Sequence, residues 1–173
     1  MLNIFINTWG NYNENGADGG EWVTLPMEPE KLTDILNMLA EELEEGDPEW
    51  FINDYEWTSD IEPRAIDEME NIEELNDFLN ELDALQEWEQ KEIAAAIEAF
   101  GYDFMEAMEK QQRGYFTFYE GMDLEEVAEE LINDCYFTKD TPDIFTRYFD
   151  YAAFARDLGF DGYCETAHGV IVE

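Results

Sequence analysis

Two hydrophobic periods divide the chain. Leu2–Trp9 concentrates β-formers (Ile4, Phe5, Ile6, Thr8 and Trp9), which predicts a strand. The Asn- and Gly-dense run Gly10–Gly20 reads as a loop, and Glu21–Leu25 as the returning strand. Pro29 suits a first helical turn. Leu32, Ile35, Leu36, Leu39 and Leu43 then share one helical face, with Gly46 and Pro48 as the stop. Trp50–Trp57 predicts a third strand. The middle carries the helical period alone. Asn71 is an N-cap with Glu74 three residues on, before Ile72, Leu75, Leu79 and Leu82. Gln86–Phe100 is a second helix, with Ile93, Ala96, Ile97 and Phe100 inward, and Asp103–Gln112 a short third. Beyond these, Tyr115–Tyr119 reads as a strand. Asp123 with Glu126 opens a helix through Leu124, Val127, Ala128, Leu131 and Ile132. Thr141–Pro142 opens a helical stretch that breaks near Asp150 and runs to Leu158–Gly159, and Gly162–Cys164 with Gly169–Val172 closes as a hairpin.

These elements predict an α+β protein of three small domains in an elongated chain: 1–61, a small antiparallel sheet plus helix; 62–104, helical; and 105–173, mixed α/β. Apolar residues are 45% and aromatic residues 15% of the 173, enough for packed interiors and unlike a disordered chain.

Charge changes the picture. Asp and Glu number 45 against 8 Lys and Arg, a net charge of −37. Residues 1–60, 61–102 and 103–173 carry −14, −11 and −12, so this is no acidic tail. Self-repulsion on this scale opposes a compact state. Duplex DNA carries one charge per ~1.7 Å of axis, so the net charge matches roughly 63 Å of duplex. A compact globule of this length has a radius of gyration of only ~16 Å, which favours an extended body. The sign excludes nucleic acid and anionic membrane as direct partners and points to a basic protein groove. The two cysteines, Cys135 and Cys164, are far apart and suit a reducing cytosol. No basic leader and no apolar run of about 18 residues is present, so the expected location is cytoplasmic.

Like-charged residues recur at helical i, i+4 spacing, ~6 Å apart along an axis, against 3.4 Å per phosphate step on one DNA strand. The pairs are Glu41/Glu45, Glu70/Glu74, Asp77/Glu81, Glu125/Glu129 and Glu126/Glu130. Each costs its helix roughly 0.2–0.5 kcal/mol, and few lysines offset it. One such pair alone is an ordinary solvated face. The whole set is not, because a surface tuned only for solubility mixes signs.

Catalytic and metal motifs are set aside. Asn11, Asn13, Asn15 and Gly16 match the start of a calcium loop, but Trp22 stands where its last position needs Glu. His168 with Cys164 fits an ordinary hairpin better than a zinc or thiol–imidazole site. No phosphate-loop, dinucleotide, serine-elbow or zincin motif occurs, so no enzyme activity, metal or cofactor is expected. The tryptophans Trp9, Trp22, Trp50, Trp57 and Trp88 read as core or interface anchors.

Certain runs are specific. Ile4-Phe5-Ile6-Asn7-Thr8-Trp9-Gly10-Asn11-Tyr12-Asn13 and Gly19-Gly20-Glu21-Trp22-Val23 resemble the start of ArdA antirestriction proteins. Tyr148-Phe149-Asp150-Tyr151, Phe154-Ala155-Arg156-Asp157-Leu158 and Thr166-Ala167-His168-Gly169-Val170 resemble their end. The resemblance implies a homodimer of elongated, curved chains that inhibits type I restriction–modification enzymes, whose DNA-binding groove accepts the protein as a mimic of double-stranded DNA. It also implies carriage on plasmids or conjugative transposons. The family's acidic antirestriction motif corresponds best to Asp123–Ile132. The expected contact set is Glu41, Glu45, Glu70, Glu74, Asp77, Glu81, Asp123, Glu125, Glu126, Glu129, Glu130 and Asp134. Phe137, Phe145 and Tyr148 are candidates for a dimer interface in the C-terminal part. The alternative reading is an acidic chaperone for another basic DNA-binding protein.

Overall fold

The N-terminal alternation becomes β1 (Leu2–Thr8), the centre of a three-stranded antiparallel sheet in the order β2-β1-β3. Its neighbours are β2 (Glu21–Leu25) and β3 (Trp50–Trp57). Leu2 faces Leu25 and Ile4 faces Val23 across the first pair, all buried. The computed structural model describes residues 1–44, 48–58 and 61–173, and within them the chain forms two compact units, 1–86 and 87–173.

The run read as a loop is mostly helical. Helix α1 (Trp9–Asn15) leads into a 3-10 turn, Gly16–Gly19. Asn is a poor helix former, so propensity misses it. The Thr8 hydroxyl accepts from Asn11 N at 3.1 Å and caps the helix. Asn11 Nδ2 donates to Asn7 Oδ1 at 2.7 Å and to the Gly19 carbonyl at 2.6 Å, while Asn15 Nδ2 donates to Asn11 Oδ1 at 2.8 Å. Asn7 and Asn11 are buried, so these bonds replace water and hold the turn. A Cβ on Gly19 would stand 2.3 Å from Asn11 Nδ2, and one on Gly20 2.4 Å from the Ile6 carbonyl. The Asn/Gly signature is thus a folding device.

Helix α2 (Pro29–Glu42) starts on its proline and buries Leu32. It ends ahead of the expected stop; Gly46 lies outside the described residues. Helix α3 (Ile72–Asp83) has the expected cap, with the Asn71 side chain accepting from Glu73 N and Glu74 N. Asn76, almost fully buried, clamps α3 to the chain at Met27: Met27 N donates to its Oδ1 and its Nδ2 donates to the Met27 carbonyl, both at 2.9 Å.

The C-terminal unit has a second antiparallel sheet, in the order β4-β6-β5: β4 (Thr117–Glu120), β5 (Cys164–Thr166) and β6 (Gly169–Val172). The expected closing hairpin is β5–β6, and β4 pairs with its far side. Helix α4 (Glu87–Phe100) packs against all three strands and against α5 (Phe104–Gln112). That explains why Ile93, Ala94, Ala95 and Ala96 are all buried, a wider stripe than one contact face needs. Helix α3 lies in one compact unit and α4 in the other. Helix α6 (Leu124–Leu131) packs on α8 (Tyr151–Phe160) around Val127, Ala128, Ala155, Leu158 and Val170. It runs on into a π-helical turn, Ile132–Tyr136, closed by Phe137 N donating to the Ile132 carbonyl at 2.8 Å. Between them lies the short α7 (Asp143–Tyr148). The class is mixed α+β, with two small antiparallel sheets and eight α-helices among the described residues.

Candidate functional site: acidic helix faces

Helix α6 shows how burial sorts its residues. Val127 and Ala128 enter the core, which turns Glu125, Glu126, Glu129 and Glu130 outward. Asp123 caps the helix: Glu126 N donates to its Oδ1 at 2.8 Å, and Asp123 N donates back to Glu126 Oε2 at 3.0 Å. Those two carboxylates hold the capping box. Glu125, Glu129 and Glu130 have no such structural duty. Asp134 follows, exposed on the π-helical turn.

Helix α3 repeats the design. Ile72, Leu75, Phe78, Leu79 and Leu82 are buried, and Glu74, Asp77 and Glu81 are exposed on the other face. Glu73, which is not in the expected contact set, is exposed there too and completes an i, i+4, i+8 row with Asp77 and Glu81. That row spans about 12 Å of axis, close to three or four phosphate steps on one DNA strand. The strand β3 adds Asp54 and Glu56, both exposed and two residues apart. Their signal in the sequence is strand alternation, not helical spacing.

Three expected residues fall elsewhere. Glu41 is exposed in the last turn of α2, and its partner Glu45 lies outside the described residues. Glu70 precedes α3, is half-buried and accepts from Arg64 Nη2 at 2.6 Å, so its charge is compensated within the unit.

The ion pairs that the basic residues form engage other carboxylates. Lys91 joins Glu87 and Glu120, Lys110 joins Glu173, Arg113 joins Glu109 and Arg156 joins Asp157. Among the described residues, no ion pair engages the outward carboxylates of α3 or α6. The Lys91 hydrogen bond holds Glu87 below its ordinary value, and those from Tyr102 and then Lys110 do the same for Glu173. Burial raises Glu92, against the hydrogen bond from Gln111, and burial lowers His168.

Other candidate chemistry finds structural explanations. The calcium-like Asn11 and Asn15 spend their side chains on one another and on the Gly19 carbonyl. No group of three or more His, Cys, Asp or Glu among the described residues is arranged to hold a metal ion. No helix of the described residues is long and apolar enough to cross a membrane.

Of the aromatic residues expected at an interface, Phe145 is 61% and Tyr148 77% exposed on α7, a helix with no buried residue, beside Ile144 at 61%. Phe137 is half-buried and packs edge-on against Phe149, with ring centroids 5.6 Å apart.

The family model described as "Antirestriction protein (ArdA)" matches residues 4–173. No curated protein matches the chain in sequence.

Proposed function

The chain belongs to the ArdA family of antirestriction proteins, and from that premise we propose that it acts as a mimic of double-stranded DNA. Its carboxylates occupy the DNA-binding groove of type I restriction–modification enzymes and compete with the substrate duplex. The carrying observation is the pair of helix faces on α3 and α6, each an exposed row of carboxylates without an internal counter-charge. A groove that binds DNA holds most of its non-specific affinity in contacts to phosphate, which carry no sequence information. Carboxylates at phosphate-like spacing can take up those contacts without imitating a base. Inhibition should therefore extend to type I enzymes that read different sequences. DNA binding measured for such a set should be lost throughout; loss confined to one recognition sequence would contradict the proposal.

We also place self-association on the exposed apolar face of α7, where Ile144, Phe145 and Tyr148 stand in water in the single chain. Sedimentation equilibrium should return twice the 20.3 kDa chain mass. Phe145→Glu with Tyr148→Glu should return the mass of one chain, and an unchanged dimer would exclude this face.

A further inference from the structure

Beside β3 the N-terminal unit carries an open pocket of about 460 Å³ that the acidic helix faces do not use. Aromatic rings build it. Trp9 stacks on Phe51 with centroids 4.2 Å apart and planes at 15°. Tyr12 stands edge-on to both, at 6.1 Å from Trp9 and 5.7 Å from Phe51. Tyr55 adds a fourth ring, and Asp54 and Glu68 are exposed carboxylates in the lining.

A β-bulge creates this combination. Phe5 pairs with Asp54, yet Ile6 pairs with Ile52, so Asn53 is the extra residue. Phe51 and Asp54 are three apart and would face opposite sides of a regular strand. With the bulge, they pair with Asn7 and Phe5, which share a face of β1. Glu68 is brought alongside by its own carbonyl, which accepts from Ile52 N at 2.8 Å.

We infer that this pocket receives an arginine side chain of the protein partner. An anion would meet two carboxylates with no base among the lining residues. A neutral apolar group would strip water from those carboxylates and return nothing. A guanidinium satisfies both requirements: it is planar, weakly hydrated, stacks on aromatic faces and forks onto carboxylate. Charge complementarity makes the source a basic protein surface, so the inference rests on the reading that the partner's groove is basic.

Two measurements test it. In the first, N-acetyl-arginine amide is titrated into the full chain while the ring resonances of Trp9 and Tyr12 are followed by NMR. Saturable shifts are expected, smaller with N-acetyl-lysine amide and absent in Tyr12→Ala. In the second, the salt dependence of inhibition is compared for Tyr12→Ala and for Asp54→Asn with Glu68→Gln, using a purified type I enzyme. The neutral truncation should weaken inhibition about tenfold with the salt slope unchanged, and the amide pair should weaken it and flatten the slope. Tyr12→Phe should keep most of the inhibition, and matching melting curves show that the fold is intact. Absence of shifts, or wild-type inhibition by Tyr12→Ala, would overturn the inference. Shifts with a wild-type chain that inhibits no type I enzyme would leave the guanidinium site standing and remove the partner assigned to it.

Discussion

Glu125→Gln, Glu129→Gln and Glu130→Gln together should cripple inhibition at low salt while leaving the fold intact. Helix α6 keeps its capping box, because Asp123 and Glu126 are untouched. Gln is about as good a helix former as Glu, and removing the Glu125/Glu129 repulsion favours the helix. The melting temperature should therefore hold or rise. Binding should move the other way. If each carboxylate stands in for one phosphate, the dependence of log K on log salt changes by up to about 0.9 per contact. Three contacts make the wild type lose up to ~40-fold more affinity than the variant between about 50 and 200 mM salt. The two should converge at high salt. The matching change on α3, with Glu73→Gln, Asp77→Asn and Glu81→Gln, tests the N-terminal unit separately. Unchanged inhibition and an unchanged salt slope in both variants would show that neither face touches the enzyme.

Gly169→Ala should strongly destabilise the C-terminal unit. Gly169 has φ +138°, which L side chains rarely adopt, and a Cβ there would stand 2.2 Å from the Tyr119 carbonyl oxygen and 2.8 Å from Gly121 N. Both obstacles are backbone, so no rotamer change relieves them. Glu120 pairs with Gly169 at the end of the β4–β6 ladder, and Gly121 N donates to the His168 carbonyl at 2.8 Å. To admit the methyl group, the strands must separate where Val170 and Ile171 are fully buried. Such a clash belongs with the exceptional substitutions, above about 4 kcal/mol, against a total stability on the order of 5–15 kcal/mol. At about 4–8 °C per kcal/mol for a unit of this size, the thermal transition of this unit should fall by about 16 °C or more, measured by circular dichroism. A shift within a few degrees would mean that the hairpin accommodates a side chain.

Gly169 also shows what the sequence conveyed. The runs that resemble the family at both ends turn out to be folding devices: Gly169 for a strand contact, and Asn7, Asn11 and Gly19 for a buried hydrogen-bond network. Elements with strong periodicity or a cap were legible, among them β3, α3 behind Asn71 and α6 behind Asp123. Helix α1 was not, because its stability comes from side chains that meet only once the chain has turned. The packing of α4 was hidden as well: nothing local says that it covers a sheet whose strands begin at Thr117. At the acidic site, i, i+4 counting found the α6 face but could not see that Arg64 lies beside Glu70. The aromatic pocket depends on one extra residue in β3, which shifts which side chains share a face. Alternation read from sequence assumes a regular strand and misses that shift.

Substitution of carboxylate for phosphate is the proposed basis of the inhibition. It is tested most directly by titrating labelled duplex DNA onto a purified type I enzyme at fixed concentrations of the protein, at low salt. Mutual exclusion is expected, with the apparent Kd for DNA rising in proportion to free inhibitor without limit and no ternary complex. A plateau in that rise, or DNA and protein bound to the same groove together, would contradict it.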